Sequence, residues 1–189
     1  MKFILASASP RRKEILSEFG YNFDVVNSKF SEKGNYDSPV DTVVENAKGK
    51  ALCVFNALSE KIKRRSAVIG ADTVVCFNGR ILGKPQSSEE AKAVLSGLSG
   101  KEHFVYTGYA IITEERSFIG YDKSKVVFNL LSDDLIEEYV ATGSPLDKAG
   151  SYGIQDGFDL VNRVEGSIYN VIGFPIEKVK PFLDELKSK

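Results

Sequence analysis

Apolar residues along this chain recur with two periods. Short β-branched or continuous apolar runs occupy residues 2–6, 23–26, 67–77, 80–82, 104–113, 117–130 and 160–164, with the lengths and composition of strands. Between them the spacing is helical. Ser9 is a favourable N-cap, and Pro10 takes the first helical position, where its missing N–H costs nothing. Ile15, Leu16 and Phe19 then share one face, and Gly20 is the expected stop. Residues 40–58 carry Val43, Val44, Ala47, Ala51, Leu52 and Phe55 at the same spacing. Ser87-Ser88-Glu89-Glu90 has the spacing of a capping box at the start of another helix. Residues 132–141 and 175–187 are helical in pattern, and Gly166-Ser167 offers a further helix start.

Polar stretches separate these elements. Residues 27–39 predict a loop, and the basic run 61–65 a solvated connection. Asn78-Gly79 is a strong hairpin signal. Glu114-Glu115-Arg116 joins the two longest strands as an antiparallel hairpin. Strands alternating with helices, some of them paired as hairpins, predict an α/β fold with a mixed sheet flanked by helices. A length of 189 residues favours a single domain, 1–189.

Composition removes several function classes. The chain is 42% hydrophobic and 27% charged, with a formal net charge of -1. A globular protein without a global field is expected, and with it neither nucleic acid nor a membrane as partner. Any anion must be bound by a few placed cations. Lys61 to Arg65 lacks the interleaved aromatic platform of a nucleic-acid site. The two cysteines, Cys53 and Cys76, sit in apolar surroundings and read as free thiols in a reducing compartment. No long apolar leader or bilayer-spanning stretch stands out, so a cytoplasmic location is the default expectation. The lone His103 cannot build a metal cluster and reads as a plain strand residue.

Five polar motifs interrupt the pattern where chemistry is possible. In Ser7-Ala8-Ser9-Pro10-Arg11-Arg12 a strand turns through small residues into a helix. Free first-turn N–H groups and the helix dipole favour an anion there. Arginines in a first turn oppose that dipole unless a phosphate is bound, and arginine holds phosphate bidentately. Asp72 lies inside the apolar Gly70-Ala71-Asp72-Thr73-Val74-Val75. Such a carboxylate is costly unless it is paired, hydrogen-bonded or on a metal, and it could take a proton from water. Lys84 sits in the stiff turn Gly83-Lys84-Pro85. Residues 142–157 form a long polar loop with Asp147, Lys148 and Gln155, in which Tyr152 and Ile154 call for burial. The fifth motif is residues 164–175. No Walker-type loop, nucleophile elbow or Cys-x-x-Cys pair occurs.

Taken in order from near the first residue to near the last, these motifs closely resemble the Maf family of nucleoside triphosphate pyrophosphatases. The resemblance implies hydrolysis of a nucleoside triphosphate to its monophosphate and pyrophosphate with a divalent cation, Mg²⁺ or Mn²⁺. It also implies an elongated α/β fold related to the inosine triphosphate pyrophosphatases and a homodimer. The family was first named for inhibition of septum formation in bacteria. Residue by residue, it places Ser7 and Arg12 at the phosphates, Asp72 as proton acceptor and Lys84 in the active site. Glu32 and Lys50 match the family's acidic and basic site residues, with Asp72 and Glu32 as the metal-binding pair. Arg11, Thr73 and Gln155 match positions tied to base selectivity. Arginine directly after the proline resembles the branch preferring dTTP and UTP; the branch acting on 7-methyl-GTP typically has a bulky aromatic residue there.

The physical reading points the same way. Cleavage between the α- and β-phosphates needs cations to neutralise crowded charge, which Arg12, Lys50, Lys84 and a metal supply. It also needs a base, for which Asp72 is the best candidate, whether it acts as base, metal ligand or both. Gln155 has the donor and acceptor suited to a pyrimidine edge. A dTTP/UTP pyrophosphatase that keeps the nucleotide pool in order is the expected function. A 7-methyl-GTP or other modified-nucleotide pyrophosphatase and a weakly catalytic nucleotide-binding regulator are the rivals.

Overall fold

The computed structural model of the chain describes residues 1–33 and 38–188. Seven strands form one mixed sheet. They are β1 (Lys2–Leu5), β2 (Phe23–Val25), β3 (Ser66–Phe77), β4 (Arg80–Leu82), β5 (Glu102–Ile112), β6 (Ser117–Phe128) and β7 (Val161–Glu165). Their order is β2-β1-β3-β5-β6-β7, with β4 beside β3. β1 pairs in parallel with both β2 and β3, while β3/β4 and β6/β7 are antiparallel. The helices are α1 (Pro10–Glu18), α2 (Pro39–Ala57), α3 (Glu60–Lys63), α4 (Ser88–Leu98), α5 (Asp133–Ala141), α6 (Ile168–Ile172) and α7 (Ile176–Lys187). A mixed sheet flanked by helices is the architecture that the alternating pattern predicts.

Backbone packing divides the chain into two compact units. The first comprises residues 1–72, 107–122 and the chain from Gly173 onward; the second comprises residues 73–106 and 123–172. In the first unit, α2 lays Ala47, Ala51, Val54 and Phe55 on Ile4, Val68, Ala110 and Ile112 of the sheet. This helix comes unusually close. A Cβ on Gly70 would lie 2.2 Å from the Ala47 carbonyl oxygen, and one on Gly108 equally 2.2 Å from that of Val43. Glycine at both places lets the helix backbone rest directly on β3 and β5. In the same unit α1 buries Ile15 and Leu16, and α7 buries Ile176, Val179, Leu183 and Leu186.

The second unit packs α4 and α5 around Leu95, Leu98, Val126, Phe128, Ile136 and Tyr139. His103 belongs to this core. It lies on β5 and is 1% exposed, with its ring edge-on to Phe128 and Tyr152 at 5.0 and 5.3 Å. Its Nε2 is 2.7 Å from the Tyr152 hydroxyl, and burial pushes its pKa down to about 4.

Local differences from the sequence reading have simple causes. Ser9 stands at the N-cap of α1, but its side chain makes no capping bond. Instead its N–H donates to Ser7 Oγ at 3.2 Å. The basic run contributes to a single helical turn, α3, because Lys63 pairs with Glu60 at 2.7 Å. At α4 the Ser87 hydroxyl accepts the Glu90 N–H as a capping box requires, yet Glu90 reaches back to the Gln86 N–H rather than to that of Ser87. The polar stretch 142–157 holds two 3-10 turns, Ser144–Asp147 and Ala149–Ser151.

Two expectations follow. Gly70→Ala forces backbone apart, since the obstructing atom is a carbonyl oxygen; urea unfolding is expected to show a loss of about 2–3 kcal/mol. His103 is neutral in the fold and takes a proton more readily once unfolded. Its contribution is therefore complete above the unfolded value near 6.5 and declines as pH falls towards 4. Between pH 7 and 5 this amounts to about 2 kcal/mol, and urea titrations of His103→Phe should show that part of the acid sensitivity removed.

Candidate active site

Polar residues of the first unit converge on Asp72. Helix α2 carries Thr42, Asn46 and Lys50 at intervals of four along its buried face, so all three project from the same side of the helix as the apolar contacts with the sheet. The close approach at Gly70, two residues before Asp72, brings that face onto the strand. Lys50 and Asp72 are 8% and 6% exposed. Lys50 Nζ donates to Asp72 Oδ1 at 2.6 Å and to the Ala71 carbonyl at 3.3 Å, and it pairs with Glu32 Oε1 at 2.7 Å. Three acceptors match its three protons. The other carboxylate oxygen, Asp72 Oδ2, accepts from Asn46 Nδ2 at 3.0 Å.

Asn46 also holds the segment that carries Glu32. Its Oδ1 accepts the Lys33 N–H at 3.0 Å, and its Nδ2 donates to the Lys33 carbonyl at 3.1 Å. Phe30 anchors the same segment, its ring lying where a Cβ of Gly49 would stand, 2.3 Å away. Sequence reading missed Asn46. The signal was present in the stripe Thr42, Asn46, Lys50, which interrupts an otherwise apolar helical face.

Ser7 and Arg12 complete the group. Ser7 is buried at the end of β1, and its hydroxyl accepts from Arg12 Nη1 at 3.1 Å. Arg12 Nε donates to the Gly173 carbonyl at 2.9 Å. Desolvation holds the Arg12 guanidinium below its usual pKa; Asp72 and Glu32 oppose that shift and the neighbouring Arg11 adds to it. A guanidinium still keeps its proton under these conditions. One buried carboxylate therefore shares its surroundings with an ammonium and a guanidinium, at the start of a helix.

The remaining candidates belong to the second unit. Thr73 follows Asp72 directly on β3 and is half-buried. Lys84 is exposed in the turn after β4, and the neighbouring Gly83 carbonyl accepts the Gly150 N–H at 3.1 Å. This bond ties the Gly-Lys-Pro turn to the polar stretch 142–157. Gln155 is exposed in a turn of that stretch.

The fit to a divalent cation rests on oxygen donors. Among the described residues no three of His, Cys, Asp and Glu come together as a ready-made metal site. Asp72 and Glu32, both on Lys50 Nζ, supply two carboxylates. Mg²⁺ commonly takes one or two carboxylates and fills its other positions with water and substrate phosphates, so the donor chemistry fits.

A Bacillus cytotoxicus protein named dTTP/UTP pyrophosphatase is 46% identical over 189 residues, covering 99% of this chain and 96% of that protein. A Bacillus cereus protein of the same name is 47% identical over 180 residues, covering 94% and 92%. A human protein named "Probable bifunctional dTTP/UTP pyrophosphatase/methyltransferase protein" is 47% identical over 188 residues, covering 93% of this chain and 30% of its own length. Among solved structures, the Staphylococcus aureus Ham1 protein aligns with a TM-score of 0.43 at 12% identity, covering 68% of this chain and 72% of that one. The Maf-like protein family matches residues 2–186, and with that match and these identities the chain belongs to the Maf family.

Proposed function

We propose that the protein hydrolyses dTTP and UTP to the nucleoside monophosphate and pyrophosphate, keeping the nucleotide pool in order. The observation that carries this reading is Asp72, a buried carboxylate whose two oxygens are aimed by Lys50 and Asn46. The names of the relatives at 46–47% identity supply the substrate. In this reading Asp72 takes a proton from water, the water oxygen attacks the α-phosphorus, and the bond from that phosphorus to the bridging oxygen breaks. Pyrophosphate carries the electron pair away. Arg12, Lys50 and Lys84 offset the charge gathering on the phosphate oxygens, and Ser7 and the start of α1 bind the phosphate tail. Arg11, Thr73 and Gln155 select the base. Asp72 and Glu32 hold a divalent cation, Mg²⁺ or Mn²⁺, which when bound supplies further charge neutralisation on the phosphates. A cytoplasmic location and a homodimer belong to the same proposal, on the strength of the family resemblance.

A nucleotide panel with Mg²⁺ tests the reaction. UTP and dTTP should yield monophosphate and pyrophosphate, at kcat/KM about tenfold or more above those for CTP, ATP and 7-methyl-GTP. Release of orthophosphate would place the cleavage elsewhere and refute the proposal; preference for 7-methyl-GTP would refute the substrate. Asp72→Asn should lower kcat about a thousandfold in a protein that still unfolds cooperatively. Asn46→Ala removes one donor from Asp72 and two bonds from the Glu32 segment; kcat/KM should fall about tenfold with a stability loss of about 1–2 kcal/mol, read by steady-state kinetics and urea titration.

A further inference from the structure

The second unit carries an ionic cluster around the buried Lys148 for which the reaction above has no use. It lies beneath residues 153–156, a turn closed by the Asp156 N–H donating to the Gly153 carbonyl at 3.1 Å. Gln155 is the third residue of this turn and is exposed. Tyr139, from α5, is fully buried below it. Its hydroxyl donates to Asp156 Oδ2 at 2.6 Å and accepts the Gly153 N–H at 2.9 Å. One phenol oxygen thus grips both ends of the turn.

The same oxygen of Asp156 is met by two further groups. Ser144 Oγ donates to Asp156 Oδ2 at 2.7 Å, and Lys148 Nζ faces that oxygen at 3.4 Å. Lys148 is 7% exposed. Its three protons are taken by the Ser144 carbonyl at 2.7 Å, Ser144 Oγ at 2.7 Å and Asp147 Oδ1 at 2.9 Å. Space at the crossing is used up. A Cβ on Gly153 would lie 2.6 Å from Asp156 Oδ1 and 2.7 Å from Lys148 Cε. Burial and the bond to Asp156 raise the Tyr139 pKa, so the phenol stays a donor.

Burying a lysine and half-burying an aspartate is a poor way to steady a surface turn, because apolar packing of equal volume does it at lower desolvation cost. What such a network supplies is one fixed geometry, with several donors converging on a single carboxylate oxygen. Fixed geometry matters for a side chain that must meet a ligand edge, since pre-ordering it removes an entropic cost from binding. We propose that Tyr139 is a positioning residue that sets base discrimination by fixing the turn that presents Gln155, with Ser144 and Lys148 holding Asp156 in place. This rests on the base-selecting role given to Gln155 above.

The test compares UTP and CTP for the wild type, Tyr139→Phe, Ser144→Ala, Gln155→Ala and the double variant Tyr139→Phe/Gln155→Ala. Tyr139→Phe should lower the UTP-to-CTP ratio of kcat/KM roughly tenfold, mainly through a higher KM for UTP, as expected for one lost hydrogen-bonding group. Ser144→Ala should move the ratio in the same direction by less, and it carries the test should Tyr139→Phe fail to fold. In the Gln155→Ala background, Tyr139→Phe should change the ratio no further. Equal losses for UTP and CTP would overturn the proposal, as would an undiminished Tyr139→Phe effect without Gln155. A wild-type ratio in Gln155→Ala alone would instead remove the base-selecting role first, and the proposal with it.

Discussion

The first unit's polar site depends on how closely α2 lies on β3. At Gly70 the helix backbone occupies the volume a side chain would need. Without that approach, Lys50 and Asn46 would reach toward Asp72 across a layer of side chains. With it, an ammonium and an amide meet the two oxygens of one carboxylate at 2.6 and 3.0 Å. The glycines on β3 and β5 and the small Ala47 and Ala51 on the helix are therefore one feature, a thin interface with a polar edge.

That edge is costly. Two opposite charges removed from water recover their solvation only when geometry and further hydrogen bonds are good. Here Lys50 spends all three protons, and each oxygen of Asp72 has a donor. Stability is a weak reason to keep such a pair, because apolar replacements would serve as well or better. A carboxylate whose oxygens are fixed in direction suits proton abstraction from water. The cluster thus makes more sense as chemistry than as architecture. The proposed phosphate site would give the arginine pair at the start of α1 the same explanation. Cations at a helix N-terminus work against the dipole, and Arg12 is held in place there by Ser7 and the Gly173 carbonyl.

The frame was legible in the sequence because strands and helices leave local traces, while most of the candidate site residues came from the family resemblance. Strand and helix periods placed the strands and the longer helices within about two residues, while α3 and the 3-10 turns fell in stretches read as connections. The isolated Asp72 in an apolar run, and arginines where a helix begins, announced themselves as misfits. What stayed hidden is relational. Asn46 is one polar residue on a helix until the fold sets it against Asp72 and the Lys33 backbone. Tyr139 reads as an apolar core position and is one, yet its hydroxyl bonds a turn far along the chain. His103 likewise read as an ordinary strand residue, and only tertiary packing buries it between two aromatic rings. Ser9 had the chemistry of a cap, but its side chain makes no capping bond, and its N–H donates instead to the Ser7 hydroxyl, a contact that no spacing rule predicts.

The two units solve a similar problem by the same means. In each, a glycine clears space for a close crossing, at Gly70 in one and Gly153 in the other. In each, a lysine almost removed from solvent, Lys50 or Lys148, finds acceptors for all three protons. In each, the lysine stands beside an aspartate, Asp72 or Asp156, that is also bonded by an uncharged donor. Arginine could replace neither lysine, because a planar guanidinium with five donors does not fit a site built for three converging acceptors. Such ion clusters around a buried lysine fix direction more than they add stability. One orders the carboxylate to which proton transfer is assigned, and the other orders the turn to which base selection is assigned.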